Sequence, residues 1–409
     1  MTAAMRRRPP GRVLRVCMVH FSSFELDSRV QRQARSLATL GHEVHCVCLD
    51  GPERFVVGDG VIRTYAVGGP SGKPRAGMLN YLRGYASFLT RAFNRISALQ
   101  RLHQLDLVEV HNMPNLLTYA ALSAKLRGVP VMLDVHDTFP ELFATKFGLP
   151  RDHPLVGAVR AEERASAAMA DRMLVVTEEA HELLSGRGVG KGKTRVVMNS
   201  PDERVFGPRR RPEPPPTDGP VRIVYHGGVA ERFGVETLVR ATAELNGDLN
   251  RGQVDIFGAC SIDGARIRDL AERVAPDKVK VAEQPTPFAE MPARLAGAHV
   301  GVVPTLHDEF TELLLPVKLM EYVHLGIPVV TSRLPVIEHY FGPDEVTFFE
   351  PGSPTSLAQA IRDVCSNPDA TMERAMRASK RLETFEWARQ RQTYLGVVEE
   401  LTGATLASA

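Results

Sequence analysis

The chain has 409 residues, 44% hydrophobic and 24% charged, which exceeds one ordinary core and sets an expectation of two domains of about 200 residues each. Fifty basic residues against 48 acidic ones leave a net charge of +2, so the global balance gives no case for nucleic acid, and any anionic partner must be met by a local patch. No uninterrupted apolar run approaches the ~20 residues of a membrane span, and the basic opening MTAAMRRRPPGR (a tail over 1–12) passes straight into strand-like RVLRVCMVH without a signal peptide's apolar stretch, so a cytoplasmic protein is expected. The five cysteines (Cys17, Cys46, Cys48, Cys260, Cys365) are odd in number and none has CxxC or zinc-ligand spacing, as suits buried thiols in a reducing compartment.

In the first half, apolar runs at Arg15 to Val19, Val44 to Leu49, Leu107 to Val110, Val129 to Val135 and Arg172 to Val176 alternate with helical stretches such as Asp27 to Leu40 and Ala158 to Ala170. Short strands separated by helices indicate βαβ units and a parallel sheet. GPRRRPEPPPTDGP, residues 207–220, holds six prolines and three arginines, reads as a surface linker, and separates a first domain over 13–206 from a second over 221–384. There the rhythm restarts, with strands expected at Val221 to Tyr225, Val254 to Phe257, Val279 to Val281, His299 to Val303 and Pro328 to Thr331. The fold class is α/β, two doubly wound Rossmann-like domains, and ligands of such folds bind outside the carboxyl ends of the strands.

At the first strand end, Asp27 suits an N-cap and Gly41 a helix stop, so both have a structural reading. No G-x-G-x-x-G follows, which argues against a dinucleotide site and a dehydrogenase. Two further strand ends carry histidine among polar neighbours, His111 in VEVHNMPN and His136 in MLDVHDTFPE. Residues 71–105 hold six basic residues, no acidic ones, and Met78, Leu79, Leu82, Tyr85, Phe88, Leu89 and Phe93 near helical spacing. Such a helix suits an anionic bilayer surface and a lipid-linked acceptor; the competing reading is a core-facing helix with a solvated basic face.

In the second half, Gly227 and Gly228 follow a strand and precede a helix at Val235, where backbone amides can meet phosphate, and Arg232 supplies a bidentate donor suited to a diphosphate. In TELLLPVKLMEYVHLGIPVVTS, a helix is expected over Pro316 to Leu325, with proline in its first turn and Gly326 past its end. Lys318 and Glu321 share one face at i, i+3 on an otherwise apolar helix, so an internal ion pair is the lesser reading and a pocket border the stronger. Phosphate at the lysine and a ribose accepted by the glutamate would make this a nucleotide-diphosphate site.

These stretches, together with SRVQRQARSLATLGHEV, ADRMLVVTEEA, the GGVAERFG turn, LPVKLMEYVHLGIPVVTS and the closing FEWARQRQTYLGVVEEL, resemble the GT-B-fold retaining glycosyltransferases of family four, in a branch with a P-x-K-x-x-E-Y signature, over nearly the whole chain. The resemblance implies two domains facing across a cleft, with 385–409 packing back on the first. It implies that Glu321 holds the donor ribose, that Arg232 and Lys318 neutralise the diphosphate, that His136 lies near the transferred sugar, and that Asp27 and Arg29, with His111 and Asn112, belong to the acceptor side. The broader family has two glutamates separated by seven residues; counting back from Glu321 reaches Leu313, with Glu312 one position off. Either Glu312 takes the sugar-hydroxyl role, or Leu313, Leu314 and Leu315 contact the sugar through backbone amides. No D-x-D occurs, so no metal and no bound cofactor is expected, only a nucleoside-diphosphate sugar as co-substrate and a glycan, lipid-linked or small-molecule acceptor. Two rival readings are a non-catalytic nucleotide-sugar-binding partner and a GT-B-fold nucleotide-sugar epimerase.

Overall fold

The computed structural model describes residues 12–51, 54–68, 78–189, 192–216, 220–245, 252–258, 262–284 and 286–406, with side chains at 54–55, 78–82 and 262 left aside. Two compact units emerge: residues up to Met198 together with those from Ala388 onward, and Asn199–Trp387.

In the first unit, the strands β1 (Arg15–Val19), β2 (Glu43–Cys48), β3 (Arg54–Val57), β4 (Gly60–Ala66), β5 (Leu107–His111), β6 (Val131–Val135), β7 (Arg172–Val175) and β8 (Thr194–Val196) form one sheet. Its order is β3-β4-β2-β1-β5-β6-β7-β8, parallel throughout except for the β3–β4 hairpin. The second unit has a parallel six-stranded sheet in the order β11-β10-β9-β12-β13-β14, built from β9 (Arg222–His226), β10 (Gln253–Phe257), β11 (Val279–Val281), β12 (Val300–Val303), β13 (Val329–Ser332) and β14 (Thr347–Phe349). Central strands such as β1, β5 and β6 are buried along most of their length, which explains why they read as continuous apolar runs. The strands not anticipated are β3, β4, β8 and β14. They sit at or next to sheet edges, where β4 alternates buried and half-buried residues and β8 and β14 have only three residues each, so an apolar-run criterion passes over them.

The helix Met78–His103 places Phe88, Ala92, Ile96 and Leu99 in the core of the first unit. Of the anticipated stripe Phe88 is buried and Tyr85, Leu89 and Phe93 are half-buried, so the helix packs on the core in part; 71–77 of the basic stretch lie outside the described residues. The segment 207–216 lies against the second unit rather than running free: Arg209 Nη1 donates to Ser379 O at 2.6 Å and Arg210 N to His324 O at 2.9 Å. Proline removes regular backbone pairing, and arginine side chains supply the anchoring instead. The closing helix Trp387–Thr402 packs Tyr394, Val397 and Val398 into the first unit, where Arg172 pairs with Glu400. No described helix is long and apolar enough to cross a membrane.

One position limits how β9 feeds its following helix. Gly234 has φ +64°, and a Cβ there would lie 1.7 Å from Pro304 O. Gly234→Ala is therefore expected to cost at least about 1–3 kcal/mol through strain and collision. Gly157→Ala, on an exposed helical site with nothing within 4 Å of the added Cβ, should instead stabilise by about 0.4–1 kcal/mol. Urea midpoints of the two variants check both signs.

Candidate active site

In the first unit, β1, β5 and β6 are sheet neighbours, so their carboxyl ends bring His20, His111 and His136 to one place. At their centre is Asp134, on β6 and fully buried. Arg29, from the first turn of the helix Ser28–Ala38, forks onto it with Nε to Oδ2 and Nη2 to Oδ1 both at 2.8 Å, while Nη1 donates to Val197 O at 2.8 Å. Gln33, one turn further along, donates to Asp134 Oδ2 at 2.7 Å. His111 Nδ1 lies 3.4 Å from Asp134 Oδ2 and 3.1 Å from His136 Nε2. Below them, Tyr394 donates to Glu109 Oε2 at 2.8 Å, and Glu109 Oε1 stands 3.7 Å from His111 Nε2.

The environment separates these groups electrostatically. Burial acts to raise the Asp134 carboxyl, yet the Arg29 charge and the two imidazoles hold it well below the usual carboxylate range. Burial lowers His111, and lowers His20 to about 4. Burial also pulls on His136, but Asp134 and then Asp27 outweigh it and move His136 up. Glu109 rises to about 8 because burial and the Asp134 charge both oppose ionisation. His136 is the member that reaches the surface, with its side chain 18% exposed while that of His111 is fully buried.

The expected residues of this half are therefore gathered, but not all are open to a ligand. Asp27 caps its helix by accepting from Val30 N at 3.1 Å and takes a second bond from Ser22 Oγ at 3.3 Å. Arg29, whose side chain is 3% exposed, is committed internally and acts as a brace for Asp134 rather than as a contact on the acceptor side. Asn112 holds the next loop: Oδ1 accepts from His136 N at 2.7 Å, and Nδ2 donates to Asp137 O at 2.7 Å and Asn115 Oδ1 at 2.9 Å. Asp134 and Glu109 were not anticipated. Their signal was available, since a lone acid within the apolar strands VMLDV and LVEVH must be compensated inside.

In the second unit, the helix Val317–His324 follows the loop after β12. Pro316 is its N-cap in extended conformation and offers no side-chain cap, so the proline sits one position earlier than expected and the first-turn amides of Val317 and Lys318 have no intrahelical acceptor. Tyr322 anchors the helix: its hydroxyl accepts from His226 N at 3.0 Å, and its ring packs so closely on β12 that a Cβ at Gly301 would come within 2.5 Å. The Lys318 ammonium donates to the Tyr225 hydroxyl at 2.7 Å and lies 4.1 Å from the Tyr225 ring and 5.1 Å from that of Phe233. Tyr225 in turn donates to Gly228 O. Burial pulls the Lys318 ammonium down to about 7 despite Glu321. Glu321, 4% exposed, has its Oε2 3.1 Å from His226 Nε2 instead of pairing with Lys318.

Gly227, with φ +108°, keeps the Lys318 ammonium close, since a Cβ there would be 3.1 Å from Nζ. The Gly227 amide is already given to Phe257 O at 3.0 Å, so of the pair only the exposed Gly228 amide remains for a phosphate. Arg232 lies over the Phe310 ring at 5.4 Å, and its buried Nη1 has no hydrogen-bond partner among the described residues. The loop that carries Glu312 is tied to this arginine by Leu306 N donating to Arg232 O at 2.8 Å. Glu312 is 37% exposed and sits 2.7 Å from His307 Nε2. The amides of Leu313 and Leu314 donate within the turn, to Phe310 O at 3.1 Å and Thr311 O at 3.4 Å, so neither is open to a sugar and of the three leucines only the Leu315 amide keeps that reading. Tyr225, His226 and Phe233 were not anticipated; nothing in the strand pattern marks a tyrosine as the partner of a lysine 93 positions away.

Residues 26–200 match the glycosyl transferase 4-like domain and residues 220–367 match the glycosyl transferases group 1. No curated protein matches the sequence. Among solved structures, the chain is similar to sucrose-phosphate synthase from Thermosynechococcus elongatus (TM-score 0.74, 18% identity, 95% of this chain and 99% of that one). It is likewise similar to a UDP-forming α,α-trehalose-phosphate synthase from Burkholderia xenovorans (0.69, 15%, 97% and 100%) and to Anabaena HepE in complex with UDP and glucose (0.67, 14%, 94% and 99%). The fold is GT-B, and the chain belongs to the group 1 glycosyltransferases.

The brace in the first unit makes a direct prediction. Asp134→Asn leaves the Arg29 charge buried and uncompensated, and should destabilise the protein by about 3–5 kcal/mol. Glu400→Gln, which breaks a pair with partly exposed Arg172, should cost no more than about 1 kcal/mol. Chemical denaturation of both variants checks the ranking, and equal losses would refute the internal-brace role.

Proposed function

We propose that this protein is a retaining, metal-independent glycosyltransferase that moves a sugar from a nucleoside-diphosphate sugar to an acceptor hydroxyl, with a lipid-linked or polysaccharide precursor as the acceptor class. The observation that carries this reading is the open cationic set in the second unit. Lys318 is half-buried against two aromatic rings with a tyrosine hydroxyl as its hydrogen-bond partner, and the same unit holds a buried Arg232 Nη1 that has no partner among the described residues. A buried donor without a partner costs about 1–3 kcal/mol, and a diphosphate would remove that cost. The capless helix start at Val317 adds dipole-aligned amides for the same anion. Glu321, held beside His226, would accept ribose hydroxyls.

In the reaction, the acceptor oxygen bonds to the anomeric carbon as the bond to the diphosphate oxygen breaks, and the acceptor proton passes to the departing diphosphate on the same face. Lys318 and Arg232 stabilise the charge that develops on the leaving group, by preorganised electrostatics. His136, the exposed end of a braced imidazole pair, would contact the transferred sugar. Glu312 or the Leu315 amide would contact its hydroxyls. HepE was solved with UDP and the trehalose-phosphate synthase is UDP-forming, which supports uridine as the first base to test.

A thermal-shift panel of nucleoside diphosphates tests the donor, since a ligand that binds only the folded state raises stability by RT ln(1 + [L]/Kd). Lys318→Ala and Glu321→Ala should each lower kcat/KM by about 10²–10³-fold, and undiminished turnover in the double variant would overturn the assignment. Because the free protein loses the Lys318 charge as pH rises through about 7, diphosphate affinity should fall between pH 7 and 9, by up to about tenfold per unit. Lys318→Arg should flatten that profile in calorimetric titrations. Sugar analysis after incubation with donor alone separates transfer from epimerisation, and retained activity in EDTA is the expected outcome of the metal test.

A further inference from the structure

Beside the acceptor-side residues of the first unit lies a cavity of about 460 Å³ that the chemistry above does not use. Its walls are almost wholly carbon, with Phe88, Leu89, Leu117, Phe139, Phe143 and Phe147 supplying much of the surface. The volume is that of a ligand site rather than a packing void, since such sites run from roughly 300 to 1,000 Å³. A sugar cannot be its occupant, because each hydroxyl buried there without a partner would cost more than about 1 kcal/mol. The cavity also adjoins the reactive end of the unit. Met113 and Pro114, which line it, directly follow Asn112, and Phe139 comes three residues after His136.

Charge narrows the occupant further. The helix Met78–His103, which contributes Tyr85, Ala86, Phe88 and Leu89 to the wall, contains four arginines and no acidic residue. Lys146 is also in the lining. The acid in the lining, Glu162, is engaged with Ser166 Oγ at 2.9 Å and Asn115 Nδ2 at 3.5 Å. An apolar cavity with Lys146 in its lining suits an amphiphile with one long hydrocarbon chain and an anionic head.

We propose that this cavity binds the hydrocarbon tail of a phosphate-linked lipid acceptor, so that the acceptor sugar or phosphate is presented next to Asn112 and His136. This rests on the glycosyltransferase reading and deepens it by choosing the lipid-linked acceptor and assigning its hydrocarbon tail a place in the first unit. The driving force is burial of the chain's methylene groups in carbon, which scales with chain length, while the basic residues select an anionic head.

The test is isothermal titration of the full chain with farnesyl phosphate and dodecyl phosphate, both kept below their micelle concentrations, with inorganic phosphate and UDP as references. Both amphiphiles should bind, and inorganic phosphate should bind at least tenfold more weakly. Ala86→Trp and Leu116→Asp change exposed lining positions, so the fold should persist, as circular dichroism and unchanged UDP binding would show. Each should weaken farnesyl phosphate binding at least tenfold. Amphiphile binding that is absent in the wild-type protein, or undiminished in both variants, overturns the proposal, as does a dimer in sedimentation that Leu116→Asp dissociates, which would assign the cavity to a second copy. Loss of UDP binding by the wild-type protein would instead refute the donor reading, so the two failures are distinguishable.

Discussion

Charge withdrawn from water at the carboxyl end of a parallel sheet must be compensated, and the two units do this in opposite ways. In the first unit compensation is internal: Asp134 receives both arms of Arg29, the amide of Gln33 and an imidazole, so a buried carboxylate becomes the fixed point around which three strand ends are arranged. In the second unit compensation is left incomplete. Lys318 lies against the Tyr225 and Phe233 rings and Arg232 over Phe310, the buried Arg232 Nη1 has no hydrogen-bond partner among the described residues, and Glu321 is paired with a histidine instead of with the lysine one turn before it.

That difference reaches the chemistry through rigid intermediates. His136 draws its raised proton affinity from Asp134, and Asp134 keeps its charge because Arg29 is locked on a helix whose N-cap is Asp27. Removing any link changes the histidine without touching it. In the second unit the corresponding intermediate is Tyr322, which fixes the helix to β9 and β12 and so sets where Lys318 and Glu321 stand relative to the Gly227 turn. Both devices place polar groups on regular elements, where side-chain positions are better defined than on loops.

Much of this was legible in the residues. Central strands announced themselves because both faces are buried, and the helix after Pro316 was bounded by proline and glycine as its termini require. The apolar circumference around Lys318 and Glu321 argued against a simple ion pair, and the structure pairs them with Tyr225 and His226 instead. Strands β3, β4, β8 and β14, at or next to sheet edges, escaped notice because half-solvated or very short strands carry little apolar signal. Arg29 was read as a ligand contact when it is a brace, since a sequence shows that an arginine lies near a strand end but not which way its guanidinium turns. The apolar stripe of Met78–His103 fitted a membrane surface and a core alike, and the structure buries Phe88, Ala92, Ile96 and Leu99 of that helix while leaving Tyr85, Leu89 and Phe93 half-buried.

The sequence by itself determined the alternation of strands and helices, the strand ends at which polar residues collect, and the lysine and glutamate sharing one helical face, because these follow from local periodicity. Only the tertiary structure decided who compensates whom: Arg29 with Asp134 across 105 positions, Tyr394 with Glu109 across 285, Lys318 with Tyr225 across 93. Pairing of buried charge depends on distance and dielectric in space, and neither quantity is written in the order of residues along the chain.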